Sequence, residues 1–521
     1  MSSRKTKRSK SFHKPSSPSL GERRHEPPAL LPLPSPPQNA PADQPCSPDD
    51  SIQITGNAAM EALMNMQPEA KGATPRYEDS IPMTSGNHVT AVFTACLASC
   101  AMGTGVGYGS PALSQLVKET RFGSSPHSQE AVWFNAVLPL VAVPGALASW
   151  LILKHLGNRK TLLLSAIGLI CSWLTVILSS STVTLYVGRG IGGFYSGIVS
   201  VCVPLYVTEV SPAGRRAFLG SGVEIAAGAG ILLPYLFCPL LHWRWLAALC
   251  ITPAALLLTL SGSLLESPLW LHSKGRREDA DRAIQGLYGF NLLAELNFQR
   301  MDRDAKICNN VPMAKVSMRV AICLSLQFLQ QSSCVTVVFF NAVQIFGAVS
   351  PDTASTSSSL AAAFHVAITF IFSMLTADVG RRWLILLSVF FVTAGFTMFN
   401  FMDHIRRAFD AEKVEDDTGK AALFSVCFVV IGYSVGLSHI PWVLLGELMP
   451  YKVRYAGTAV TIALQWTLSY LLVQFNWAAI SIFQFQGTFV GYSVGALLLC
   501  GVTLFGVPET QGKPLAEIDA T

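Results

Sequence analysis

Apolar residues gather into two sets of six long runs, with polar residues crowded before and between the sets. The first set lies near 89–111, 131–153, 161–182, 184–206, 217–240 and 245–265. The second lies near 317–347, 358–376, 383–402, 421–449, 456–478 and 486–506. A helix needs about 20 predominantly apolar residues to cross a hydrocarbon core. The pattern therefore predicts an all-α membrane protein of about twelve transmembrane helices in two pseudo-symmetric six-helix halves. The expected segments are a tail over 1–88, halves over 89–265 and 316–507, an interdomain loop over 266–315, and a tail over 508–521.

Composition supports that reading. Half of the 521 residues are hydrophobic and 13% are charged, with a mean hydropathy of +0.41. Soluble chains carry about a quarter charged residues. The net charge of +5 matters less than its placement. Clustered cations (Lys154/Arg159/Lys160, Arg215/Arg216, Arg381/Arg382, Lys452/Arg454) fall in alternate gaps and across 266–315. Positive charge marks cytosolic loops, so both termini are expected in the cytosol. Most of the twelve cysteines lie in apolar runs without metal-ligand spacing, which reads as packing. The tail opens on Arg4, Lys5, Lys7 and Arg8 and turns Pro/Ser-rich, a composition expected to stay disordered. Within it, Glu26-Pro-Pro-Ala-Leu30-Leu31 fits an acidic dileucine sorting pattern, so sorting or other cytosolic partners are an expectation for the tail.

The two halves repeat each other. Glu209-x-x-Pro212-x-x-x-Arg216 matches Glu447-x-x-Pro450-x-x-x-Arg454, and Gly157-Asn158-Arg159 precedes it as Gly380-Arg381-Arg382 precedes the second. Two parallel six-span halves imply a central pathway. With these motifs the chain resembles the sugar porter family of the major facilitator superfamily, over roughly 89–518. The resemblance also rests on Gly188-Arg189, Pro204-x-Tyr206, Glu266-Ser-Pro268, Gln330-Gln331-x-Ser333, Pro441-Trp442 and Pro508-Glu509-Thr510. Tyr108-x-Ser110-Pro111-Ala112-Leu113 places it nearest the class III facilitative hexose transporters and insect trehalose transporters. The resemblance implies the major facilitator fold and carriage of a hexose or trehalose-like sugar by alternating access. The chain departs from the family's pattern at Lys154 (usually Asp), Glu224 (usually Gln), Thr336 (usually Asn), and Leu437 and His439 in a usually Pro-rich run.

A sugar offers many hydroxyls and no charge. Side chains that both donate and accept suit it, and Gln amides do both. Gln327, Gln330 and Gln331 share one face of an otherwise apolar seventh run. They are candidate substrate ligands, or polar glue between helices. The resemblance favours the first and adds Thr336, Trp442 and Gln465. Glu224 is a carboxylate within a run, which is rare and functional by default. Three roles stay open to it: substrate contact, a proton site, or partner of a buried base. His365 and His439 are further candidate proton sites or hydrogen-bonded structural residues. Proton-coupled sugar porters carry an Asp in the first span near Arg189; here Gly109 stands there, which implies facilitated diffusion.

Glu209 and Glu447 are expected to meet Arg159, Arg216, Arg381, Arg382 and Arg454 in a cytoplasmic gate. The sequence shows no phosphate-binding loop, no catalytic constellation and no metal or cofactor set, and neither an enzyme nor a nucleic-acid partner is expected. The expected partners are a small polar solute and the bilayer. The expected form is a monomer, in the plasma membrane or an endosomal or lysosomal one. Two alternatives remain: a carrier of a polyol or organic ion, with or without proton coupling, and a non-transporting receptor-like protein on the same fold.

Overall fold

The computed structural model describes residues 87–119, 128–212, 215–288, 312–349, 353–408, 415–450 and 453–506. The dileucine segment (Glu26, Leu30, Leu31) and the tail over 508–521 lie outside the described residues. The described residues form helices and turns, with no strand among them.

The first half holds α1 (Asn87–Lys118), α2 (Gln129–Leu156), α3 (Asn158–Ile177), α4 (Thr182–Val210) and α5 (Arg216–Phe237). Two shorter pieces follow, α6 (Trp243–Leu249) and α7 (Thr252–Thr259). Pro253 near the start of α7 removes a backbone donor, so the sixth run is interrupted. The polar stretch that follows is partly helical, as α8 (Pro268–Ser273) and α9 (Arg277–Tyr288). Ser267 caps α8, its side chain accepting from Trp270 N at 3.3 Å. In α9, Ala280, Ala283, Ile284 and Leu287 are buried at helical spacing, which explains an amphipathic helix in a charged segment.

The second half holds α10 (Met313–Ser332), α11 (Val335–Val349), α12 (Ala354–Val379), α13 (Arg381–Ala408), α14 (Glu415–Val435), α15 (Ile440–Leu448) and α16 (Arg454–Gly506). Helices α13 and α14 run into the 403–420 gap from both sides. Ten described spans are long and apolar enough to cross a membrane, and Trp243–Thr259 is a shorter apolar one. The twelfth comes from α16. Its 53 residues would reach about 80 Å if straight, far beyond a bilayer. Gln484, at φ 59° and ψ 175°, breaks it. Tyr492 OH donates to Asn476 Oδ1 at 3.4 Å across that break, so the two arms fold back on each other.

Within the first half α1 packs on α5 and α4 on α2 and α3; in the second, α13 packs on α14 and α16. Added Cβ atoms at Gly193 and Gly197 would strike the backbone oxygens of Leu138 and Ala142, so only glycine lets α4 lie this close to α2. The halves meet along α5–α12, α2–α16 and α1–α11.

Candidate functional site

The polar centre forms where two helices break. Helix α10 ends before Cys334, which takes a left-handed φ of 54° before α11 begins. The tenth run breaks between α14 and α15. Gly436 lies against the backbone of Leu384 on α13, where any Cβ would collide. Ser388 Oγ donates to Gly432 O at 2.6 Å and accepts from Leu437 N at 3.1 Å, which steadies the unwound segment.

Unwinding frees Ser438 O, which accepts from Gln330 Nε2 at 3.0 Å. The same amide donates to Tyr433 OH at 3.3 Å, and its oxygen accepts from Gln465 Nε2 of α16 at 3.4 Å. Gln331 Oε1 accepts from Thr336 Oγ1 at 2.9 Å across the α10–α11 break. Gln327, one turn before Gln330, is fully buried and neither of its amide atoms has a hydrogen-bond partner among the described residues. Gln465 Oε1 and Trp442 Nε1 are likewise buried without partners. Leaving such groups unpaired costs about 1–3 kcal/mol each. Each lacks a partner of the kind that a ligand bearing both donors and acceptors supplies.

Glu224 on α5 is near this centre, its Oε1 3.7 Å from His365 Nε2 on α12. His365 Nδ1 lies 2.9 Å from Ser434 Oγ, and its ring flanks Phe339 and Tyr433. His439 is bonded through both nitrogens, to Thr376 Oγ1 at 3.1 Å and Ser438 Oγ at 3.3 Å. Tyr433, Ser434, Ser438 and Thr376 are absent from the sequence-based set; the helical spacing of Ser434 and Ser438 is the signal that marks two of them.

Gly109 abuts Arg189. A Cβ there would sit 3.1 Å from Arg189 Nη2 and collide with Asn135 Oδ1. Arg189 is buried, donates to Gly105 O at 2.5 Å, and lies 5.1 Å from the centre of the Phe134 ring. No carboxylate among the described residues pairs with it. Asn135, a further residue outside the sequence-based set, donates to Phe340 O at 2.9 Å. The kink at Asn341 (φ −135°) exposes these α11 carbonyls, and Tyr235 OH takes Phe339 O at 2.5 Å. Ser110 adds bonds to Gln344 Oε1 (2.6 Å) and Val343 N (2.9 Å). The two halves are thus joined at the end of the bundle away from α8 and α9.

They are joined at the α8/α9 end too. Gly157 and Gly380, at φ 82° and 83°, make the same turn in each half. After Gly380, Arg381 binds Glu447 through both guanidinium nitrogens, Nη1 on Oε2 and Nη2 on Oε1 at 2.9 Å. After Gly157 stands Asn158, whose amide donates to Glu209 Oε2 at 2.9 Å. Glu209 Oε1 accepts from Tyr455 OH of the other half at 3.3 Å. Arg454 Nη2 donates to Gly446 O at 2.9 Å and reaches Thr208 Oγ1 at 3.5 Å. Arg216 is half-buried within electrostatic reach of Glu447, Arg454 and Arg381, and Arg382 is half-buried beside Arg381.

Arg159 turns from the two glutamates: its guanidinium donates to Ser261 O at 3.4 Å and its backbone N–H to Glu266 Oε1 at 3.1 Å. Glu266 also accepts from Asn158 N at 2.7 Å and Ser267 N at 3.2 Å, sitting on the positive end of α3. Burial pushes the Glu266 carboxyl above its ordinary value; the three N–H bonds oppose this and the charge of Glu209 adds to it. Asn158, Thr208, Tyr455 and Glu266 complete the charged and polar cluster at this end. Placing Gly157-Asn158-Arg159 over Gly380-Arg381-Arg382 singles out Asn158.

Comparison with known proteins agrees with this architecture. The family model for "Sugar (and other) transporter" matches residues 91–521. The facilitated trehalose transporter Tret1 of Drosophila mojavensis is 30% identical over 461 residues, covering 84% of this chain and 52% of that protein. Solute carrier family 2, facilitated glucose transporter member 8 of Bos taurus is 30% identical over 453 residues, covering 82% of this chain and 93% of that one. The chain thus spans about half the length of the fly protein and nearly all of the bovine one. The major facilitator proton:xylose symporter XylE superposes with a TM-score of 0.72 at 22% identity, over 83% of this chain and 98% of that one, which shows a shared fold.

Proposed function

This chain belongs to the sugar (and other) transporter family, and on that premise we propose that it carries a neutral hexose or trehalose-like sugar across a membrane by facilitated alternating access. Its relatives are named as carriers, not enzymes. One observation carries the reading: Gln327 is buried with both amide atoms unbonded among the described residues, one turn from Gln330, which accepts from Gln465. Sugar hydroxyls donate and accept in the pattern those atoms lack. The Trp442 face suits the apolar side of a pyranose ring. Gly109 in front of Arg189 supports uniport, because no acid stands there to carry a proton with the sugar.

Residues 89–265 and 316–507 act as the two moving halves, with 266–315 linking them and the tails 1–88 and 508–521 outside the bilayer. The α8/α9 end is the cytosolic one, on the strength of its cations. Glu209, Arg216, Glu447, Arg454, Arg381, Arg382 and Arg159 form its gate, closed here by the bonds from Tyr455 and Arg454. The proposed working form is a monomer in the plasma membrane, with Glu26, Leu30 and Leu31 as the signal for diversion to endosomal or lysosomal membranes.

Liposomes containing the purified chain test the reading. Uptake of labelled D-glucose or trehalose should saturate, and an imposed proton gradient should not drive the sugar above its external concentration. Gln327→Ala should raise KM about tenfold, the weight of one buried hydrogen bond. Folded protein that takes up neither sugar would remove the proposal.

A further inference from the structure

The Glu224–His365 contact spans the two halves, since α5 packs on α12. Its hydrogen bonds fix the proton inventory. Ser434 Oγ donates its single proton to Val430 O at 2.7 Å. The hydroxyl must therefore accept from His365 at 2.9 Å, so Nδ1 carries hydrogen. A neutral His365 then turns the lone pair of Nε2 toward Glu224 Oε1, 3.7 Å away. Nε2 is buried and has no other hydrogen-bond partner among the described residues. A lone pair facing an ionised carboxylate in an apolar setting is repulsive. One proton between them removes the conflict, either as imidazolium with carboxylate or as imidazole with carboxylic acid.

We propose that Glu224 and His365 hold one exchangeable proton between the halves, and that His365 thereby positions Glu224 as a ligand of the sugar. This rests on the sugar-carrier reading above. With the proton in place, Oε1 is drawn to His365 and Oε2 is left to accept a sugar hydroxyl. The step is proton transfer alone: an N–H or O–H bond breaks and the proton passes to water in the pathway. Once it leaves, the carboxylate is pushed from His365 and the bound geometry is lost. Tyr433 links the pair to the amide cluster, since its ring flanks His365 and its hydroxyl accepts from Gln330.

Among the described residues no neighbouring charge replaces the proton. Facing groups are Tyr433 from α14, His439 from the α14–α15 break and, across α5, Cys96 from α1. From α11 the Phe339 ring faces His365, and α11 carries no charged residue. Arg381 of α13 and Glu447 of α15 bind each other. On α4, Arg189 is bound to Gly105 and Glu209 to Asn158, and Arg244 of α6 donates to Ser179 O.

The test is KM for labelled D-glucose and trehalose, measured in liposomes from pH 5.5 to 8. Wild-type KM should rise about tenfold with pH, as a charge-assisted contact is lost. His365→Gln supplies a donor that does not titrate, and should keep low-KM uptake with a flat profile. Glu224→Gln should also be flat, which keeps the test available if one variant fails to fold. A flat wild-type profile overturns the inference while leaving sugar transport standing, and so does a pH rise that survives in either variant. Absence of saturable uptake at every pH overturns the sugar reading and this inference with it.

Discussion

The two halves make the same turn at the α8/α9 end and then hold their glutamates differently. Behind Gly380, a guanidinium grips Glu447 in a two-point charged contact inside the second half. Behind Gly157, a neutral amide holds Glu209 at a single point. Glu209 therefore keeps an oxygen for Tyr455 across the interface, whereas both oxygens of Glu447 are taken by Arg381 of its own half. Arg454 reinforces the seam through Gly446 and Thr208, the residues immediately before the two glutamates. A repeat can thus keep its backbone and divide the labour: one copy's glutamate is held by an arginine of its own half, and the other's is shared across the interface.

Breaking the locked copy should have the largest effect. Arg381→Ala leaves the Glu447 charge buried without its partner and should cost about 3–5 kcal/mol of stability, read as a fall in Tm in detergent. If Tm holds, the second half does not depend on that lock. Arg381→Asn gives the second half the amide of the first and should recover about 1.5 kcal/mol of the loss, the worth of a hydrogen bond to a charged group. Equal Tm for the two variants would mean that the amide contact at Glu209 contributes nothing. Tyr455→Phe acts on the cross-half bond, worth about 1 kcal/mol, and should shift the population open at this end about fivefold. Spin labels on α4 and α16 would report that shift as a change in their distance distribution, and an unchanged distribution argues against a gating role for Tyr455.

The smallest effect belongs to Glu266. Its folded carboxyl holds a proton more tightly than the unfolded chain, whose value is near 4.5. The resulting stabilisation is complete below that pH and fades as pH rises through the folded value. Glu266→Gln should flatten this acid-side slope of Tm against pH. An unchanged slope would place the titration elsewhere.

Much of this was legible in the chain. Run lengths predicted the spans, and the E-x-x-P-x-x-x-R repeat marked both sides of the seam at the α8/α9 end. The glutamine spacing put three amides on one helix face. Partner choice was not legible, because hydrogen bonds between distant segments leave no period. Nothing local tells that Glu209 takes Asn158 and Tyr455, or that Arg159 turns to Ser261. The central breaks were half visible. A glycine, Gly436, stands at one, but at the other Cys334 holds a left-handed conformation that a non-glycine residue disfavours, bonded from its N–H to Gln331 O at 2.9 Å and through its carbonyl to Val337 N at 3.0 Å. Asn341 reads as one polar residue in an apolar run until its kinked backbone is seen to release two carbonyls.

The break at Gln484 bears on how the chain is made. The final two helices share a turn of about one residue, with no polar stretch between their arms. Among the described residues no hydrophilic loop separates these arms, so they can enter the membrane together as one hairpin.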